Sequence, residues 1–311
     1  MQGIAYLNGI LDSRNGFPFD ALAARTASRE LWDGSSMSGF AVDFALNHMA
    51  APRLSIRAFM ELAVSLGIGK VEIRNDLSGA SDVRNVGSAE VKAMAADLGL
   101  TIISVNALQR WNQWAPEKAA EAAELIKYCA DCGAKALVLV PTNDTSFTPS
   151  ESERKAGHVN ALSALKSMLQ DAGVMGLIEP LGFVECSLRR KSDAVAAIKA
   201  VQGENTFRLV HDTFHHFVAG ETDMFPAFTG LVHISGVTEP AVTQATMRDP
   251  HRVLVDASDR IDNSGQVKAL MSRGYCGPLS FEPFAAEVHA LADPKAAIAA
   301  SMAYLKGAIG T

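Results

Sequence analysis

The sequence predicts a single (β/α)8 barrel preceded by an N-terminal extension. Three observations predict it. From Gly39 onward, short β-rich runs alternate with longer helical patterns, the rhythm of parallel βαβ units. The alternation repeats eight times, which favours closure into a barrel. Several runs, Ala136-Leu137-Val138-Leu139-Val140 among them, are apolar along most of their length, as strands covered on both faces require. An open doubly wound sheet shares this rhythm, but carries a Gly-rich phosphate loop after its first strand. Here Leu46-Asn47-His48-Met49-Ala50 stands in that place.

Residues 1–36 show little rhythm beyond a short helix at Phe19 to Arg29, and close on Asp33-Gly34-Ser35-Ser36. They are expected to be a disordered extension, with the barrel over 37–311. Met37 stands immediately before the first strand, so an upstream start or an added leader is one reading of the segment. The strands are expected at Phe40 to Leu46, Lys70 to Arg74, Thr101 to Asn106, Ala136 to Pro141, Met175 to Glu179, Phe207 to Asp212, Leu231 to Ser235 and Pro278 to Glu282. The first five intervening helices are expected at Ser55 to Leu66, Ser88 to Leu98, Pro116 to Cys132, Glu151 to Ala172 and Ser192 to Val201. Asp223 to Phe228 is the weak candidate after the sixth strand, and Gly265 to Arg273 and Pro294 to Lys306 complete the set.

At 311 residues the chain exceeds the roughly 250 that one barrel needs. Its 48% hydrophobic content, spread through the sequence, is enough for a full core. No apolar run approaches the roughly 18 residues of a membrane span, and the N-terminus lacks the basic-then-apolar layout of a secretory leader, so a cytoplasmic protein without membrane contact is expected. A net charge of −6 with scattered Lys and Arg disfavours nucleic acid. The four cysteines are expected to be reduced. Cys129 and Cys132 end a helical run with no second pair nearby, which points to core packing and not to a redox or metal motif.

Barrel chemistry sits at the carboxyl ends of the strands. Those ends carry Asn47-His48, Arg74-Asn75-Asp76, Asn106, Thr142-Asn143, Glu179, Asp212 with His215 beyond it, His233 and Glu282. Taken singly, a Glu-Pro after a strand is a cap or loop residue and a His in a strand is a core histidine. Strands five to eight, however, place Glu179, Asp212, His233 and Glu282 in succession, each emerging from an apolar run. Three carboxylates and one imidazole suit one divalent metal ion: Mn, Mg, Co or Zn. Without a cation, carboxylates so crowded would repel one another.

These residues resemble the xylose-isomerase-like TIM barrels, a family of sugar isomerases and epimerases. The resemblance runs from Gly39 to the C-terminus and is carried by Ile178-Glu179-Pro180-Leu181, Glu185, Asp212-Thr213-Phe214-His215, Val232-His233-Ile234 and Phe281-Glu282-Pro283-Phe284. It implies that Glu179, Asp212, His233 and Glu282 hold the metal and that Glu179 and Glu282 are the catalytic acid/base pair. It further implies substrate contacts from Glu185, His215 and Arg252, and from His48, Arg74 and Asn106 at the ends of the first three strands. Asn47-His48 and Arg74-Asn75-Asp76 look most like the inosose (2-keto-myo-inositol) isomerase branch. The implied partner is a small sugar or inositol ketone, and the implied assembly a homo-oligomer.

The departures bear on the substrate more than on the metal. Gly236 replaces a polar residue three places after His233, the loop Val237 to Asp262 is long, and Asp256-Ala257-Ser258-Asp259 replaces a glycine-rich turn. Xylose isomerases proper use a second metal and a lysine shortly after the glutamate of strand five; here Leu181 and Gly182 fill that stretch, so proton transfer through an enediolate is expected in place of a hydride shift. Two rival readings remain. DNA-repair endonucleases of the same superfamily look like three-metal sites with additional histidines, whereas this chain has eight histidines in all and His216 is expected to point away from His215. A non-catalytic sugar-binding barrel is opposed by the intact ligand set.

Overall fold

The computed structural model describes residues 42–310. Its strands, β1 (Phe44–Asn47), β2 (Lys70–Arg74), β3 (Thr101–Gln109), β4 (Ala136–Val140), β5 (Met175–Ile178), β6 (Phe207–Asp212), β7 (Thr229–Ile234) and β8 (Leu279–Phe281), close into a barrel. Every pairing is parallel, and β1 meets β8 with Ala45 opposite Ser280 and Leu46 opposite Phe281. The expected (β/α)8 barrel is therefore the fold. The extension at 1–36, the Phe19 to Arg29 helix and the Phe40 start of the first strand lie outside the described residues.

The outer helices are α1 (Ile56–Ser65), α2 (Ser88–Asp97), α3 (Pro116–Cys132), α4 (Glu151–Ala172), α5 (Lys191–Ala200), α6 (Thr213–Ala219), α7 (Asn263–Ser272), α8 (Ala286–His289) and α9 (Pro294–Ile309). Local chemistry sets their ends. Pro116 opens α3, where its missing N–H costs nothing, and Gly133 closes it at φ +80°, a conformation a side chain resists. Ser150 and Glu153 form a capping box at the start of α4. After β6 the expected helix at Asp223 to Phe228 is not formed. The helix is α6, which begins at once, because the Asp212 carboxylate accepts the His215 N–H and caps it.

Side-chain alternation divides the apolar residues between two layers. Ala45, Ile103, Ala136, Val138, Leu177, Val210 and Leu231 fill the barrel interior. Their sequence neighbours Leu46, Leu137, Leu139, Ile178, Leu209 and Val232 face the helices in a larger core that also holds Phe59, Phe207, Cys129 and Cys132. Burial pushes the Cys132 thiol up to about 11 and the Cys129 thiol well above its ordinary range, as inert packing residues behave. A third cluster, with Leu181, Phe183, Phe214, Val237, Met247 and Ile261, ties together the loops over strands five to seven. No described helix is long and apolar enough to cross a membrane.

Phe207 shows how tight the outer layer is. A Cβ at Gly176 would lie 2.6 Å from its ring, and one at Gly203 2.7 Å, so both glycines are the space into which the ring fits. Phe207→Ala is expected to lower the unfolding free energy by about 3–5 kcal/mol, read from the denaturant midpoint at unchanged m-value.

Candidate metal centre

Period-two alternation places the next inward side chain above the apolar interior layer. Two residues past Leu177, Val210, Leu231 and Ser280 stand Glu179, Asp212, His233 and Glu282. Glu179 and Glu282 lie one residue beyond their assigned strands, yet their amides still bond across the sheet, to Leu139 O (3.1 Å) and Ile234 O (3.0 Å), so strand geometry aims both carboxylates inward.

The four residues converge. One ligand atom from each lies within 4.8 Å of all the others, and all four are buried. His233 Nδ1 stands 3.0 Å from Glu179 Oε1, 3.1 Å from Glu282 Oε2 and 3.9 Å from Asp212 Oδ2. Carboxylate oxygens are acceptors, and an imidazole nitrogen is either an N–H or a bare lone pair. The same donor set therefore serves as a hydrogen-bonded imidazolium cluster or, with Nδ1 unprotonated, as a three-oxygen, one-nitrogen ligand set for a divalent cation.

Charge balance calls for a further positive charge. Glu72, Glu179, Asp212 and Glu282 are all buried; the guanidiniums paired with them, Arg74 and Arg252, offset two of the four charges, and a protonated His233 or a bound cation must meet the rest. Arg74 Nη1 donates to Glu282 Oε1 at 2.7 Å and its other edge grips Asp76 at 2.7 and 2.8 Å. Arg252 Nη2 donates to Asp212 Oδ2 at 2.5 Å and to Glu282 Oε2 at 3.0 Å, while its Nε donates to Ser235. Both guanidiniums lie over the Phe284 ring, Arg252 at 4.5 Å and Arg74 at 5.7 Å.

The two glutamates are pushed apart as acids. Burial would raise the Glu282 carboxyl, but the charge of His233, its hydrogen bond and the two arginines hold it well below the usual range. Burial raises Glu179, and the charges of Glu282 and Asp212 add to that against the pull of His233. Burial lowers His233, yet Glu282, Glu72 and Glu179 together hold it well above the ordinary imidazole value. Among the described residues, Glu179 Oε2 has no hydrogen-bond partner.

The remaining expected site residues are placed unequally. His215 is buried with its ring edge-on to Phe183 at 5.1 Å and its Nδ1 unpartnered, while His216 turns away onto His211, as expected. Glu185 sits partly exposed on the loop after β5, 3.9 Å from Arg248. His48 is anchored by Nε2 to the Leu54 carbonyl and stacked on Phe59 at 4.2 Å, with Nδ1 unpartnered. Asn106 points its amide at Glu72 Oε2, 2.9 Å away. Sequence reading passed over Glu72, whose carboxylate meets His233 Nε2 at 3.1 Å, and named Asp76 at the end of the second strand without giving it the role it has, that of holding Arg74. The available signal for Glu72 was a glutamate alternating with Val71 and Ile73 in a strand whose outer face is apolar.

Two departures from the family pattern have structural reasons. Gly236 pairs in antiparallel fashion with Val253, N to O at 2.7 Å, and a Cβ there would press on Leu254 O and Val255 Cα at 3.2 Å. That close pairing carries Arg252 to the carboxylates. At Gly182 a Cβ would collide with the His215 carbonyl and the Ala219 amide of α6, so no lysine fits at that position.

The sequence profile of a family described as xylose isomerase-like TIM barrel matches residues 60–308. Among solved structures, a xylose isomerase domain containing protein from Salmonella typhimurium LT2 is similar at 30% identity and TM-score 0.78, covering 89% of this chain and 100% of that one. The IOLI protein with a binding zinc atom shows 20% identity and TM-score 0.77, over 86% of this chain and 98% of its own. D-Psicose 3-epimerase from Clostridium cellulolyticum H10 shows 15% identity and TM-score 0.66, over 86% and 99%; at such identities the likeness is one of fold. No curated protein matches the chain in sequence.

Because Arg252 offsets two buried carboxylates, Arg252→Met is expected to destabilise the metal-free protein by about 3–5 kcal/mol in denaturant unfolding, where an exposed arginine such as Arg57 changes it by under about 1 kcal/mol.

Proposed function

The chain belongs to the xylose isomerase-like TIM barrel family, and from that premise we propose that it is a metal-dependent isomerase or epimerase of a polyhydroxy ketone, with 2-keto-myo-inositol as substrate. The observation that carries the reading is the convergence of Glu179, Asp212, His233 and Glu282 within 4.8 Å at the carboxyl end of the barrel. These four residues would hold one divalent ion. When bound, such an ion supplies positive charge for the oxygens of an α-hydroxy ketone as the carbonyl turns into an enediolate.

The proton work falls to the two glutamates. Glu179, whose Oε2 is unengaged and whose carboxyl burial raises, is suited to take a proton from the carbon beside the carbonyl. Glu282, oriented by an arginine on each oxygen, is the other member of the acid/base pair: where a proton is delivered to the face opposite Glu179, a protonated Glu282 gives it while Glu179 keeps the one it took. Return of the proton to the neighbouring carbon gives isomerisation, and return to the opposite face of the same carbon gives epimerisation. His215 Nδ1, His48 Nδ1 and Glu185 would meet the hydroxyls of the substrate. Both guanidiniums at the centre are already committed to carboxylates, which favours an uncharged polyol over a sugar acid or phosphate.

The test is proton NMR with added Mn2+ or Zn2+ over keto-inositols and ketohexoses. Substrate deuterated at the reacting carbon should lose its label to ordinary water; complete retention in the product would overturn proton transfer. Glu179→Gln is expected to slow turnover by about 10²–10⁴-fold. Zinc at a hundred times its Kd should add about 2.7 kcal/mol to the unfolding free energy, and a chelator should remove it.

A further inference from the structure

We infer that Glu72 is the positioning residue that makes His233 a metal ligand, by dictating which ring nitrogen carries the proton. The inference rests on the metal reading proposed above. His233 offers two nitrogens to two different carboxylate environments. Nδ1 faces Glu179, Glu282 and Asp212, while Nε2 faces Glu72, 3.1 Å from Oε1 and 3.2 Å from Oε2. A carboxylate only accepts, so without a cation both nitrogens are N–H; when a cation takes the place of the Nδ1 proton, Glu72 keeps the one on Nε2. In a neutral imidazole that proton leaves Nδ1 as the bare nitrogen, aimed at the other three ligands.

Glu72 is built to hold that orientation. It is wholly buried, and its oxygens accept from four further donors. Ser280 Oγ (2.5 Å) and Asn47 Nδ2 (3.2 Å) reach Oε1, and Ser104 Oγ (2.6 Å) and Asn106 Nδ2 (2.9 Å) reach Oε2. The donors come from β1, β3 and β8, so the carboxylate is fixed by the barrel wall and not by a loop. All four are neutral, in contrast to the two guanidiniums on Glu282. The charge of Glu72 is thus left to act on His233, where it strengthens the ring as an electron donor at Nδ1. Asn47 adds a second link, because its Nδ2 also reaches Glu282 Oε1 at 3.3 Å and joins the positioning carboxylate to the ligand opposite.

The experiment compares wild type, Glu72→Gln and Ser104→Ala, each prepared metal-free and titrated with Zn2+ alone. Ser104→Ala removes one partner of Glu72 but keeps the carboxylate, and serves as the control for loss of packing. Glu72→Gln is expected to weaken zinc binding 10–100-fold, and to abolish the downfield Nε2–H proton of His233 in the zinc-loaded protein. Ser104→Ala is expected to lower the thermal midpoint while keeping both. The inference is overturned if Glu72→Gln retains wild-type affinity, or if Ser104→Ala loses zinc affinity and the Nε2–H proton to the same extent as Glu72→Gln, which would make the loss one of packing. Should Glu72→Gln not fold, Glu72→Asp, which withdraws the carboxylate by one methylene, takes its place with the same reading. A wild type that binds no zinc would overturn the metal reading instead. In that event NOEs from labelled histidine in the metal-free proteins still decide the inference, which requires the His233 ring to turn in the Glu72 variant and to stay fixed in Ser104→Ala.

Discussion

Four carboxylates shut into one end of a closed barrel are costly unless cations stand within hydrogen-bond reach, and much of the site follows from meeting that constraint. Arg74 and Arg252 each give one arm to Glu282, and Arg252 gives another contact to Asp212. Asp76, Asp249 and Ser235 in turn hold the arginines in place. His233 bridges the remaining oxygens of Glu179 and Glu72. The residual negative charge is what would draw a divalent ion. The ring of Phe284 beneath both guanidiniums closes the arrangement from the β8 side.

The division of labour among the carboxylates comes from their partners and not from residue type. Glu282 has two guanidiniums; Glu179 has one imidazole contact and an unengaged oxygen; Asp212 caps α6 through Oδ1 while Oδ2 meets Arg252. Glu72 is surrounded by neutral hydroxyl and amide donors. One chemical group thus caps a helix, pairs with guanidiniums, meets an imidazole or gathers neutral donors, according to which strand it ends and what meets it there.

Much of the fold was legible in the sequence because parallel strands covered on both faces are apolar runs, and the helices between them have clear ends. β2, β6, α3 and α4 fall where the pattern puts them. The helix after β6 was misplaced because Asp212 reads as a strand-end ligand, and its second role as an N-cap needs the His215 amide above it. Strand ends at Glu179 and Glu282 differ by one residue from expectation, although both amides keep their ladder bonds.

What the sequence determined by itself was the parity of each strand: an inward residue, apolar at Leu177, Val210 and Leu231 and Ser280 in the eighth strand, followed two places later by Glu179, Asp212, His233 or Glu282, which alternation must send to the same side. Only the tertiary structure decided who meets whom. Glu72 alternates with Val71 and Ile73 like any half-polar strand residue, and nothing local says that its face is shared with Ser104, Ser280 and His233 until β1 closes onto β8. Arg252 sits in a long loop, and it reaches Asp212 and Glu282 because Gly236 admits the backbone of Val253 beside β7. Alternation is a property of each strand, whereas these contacts depend on register and closure between strands far apart in the chain.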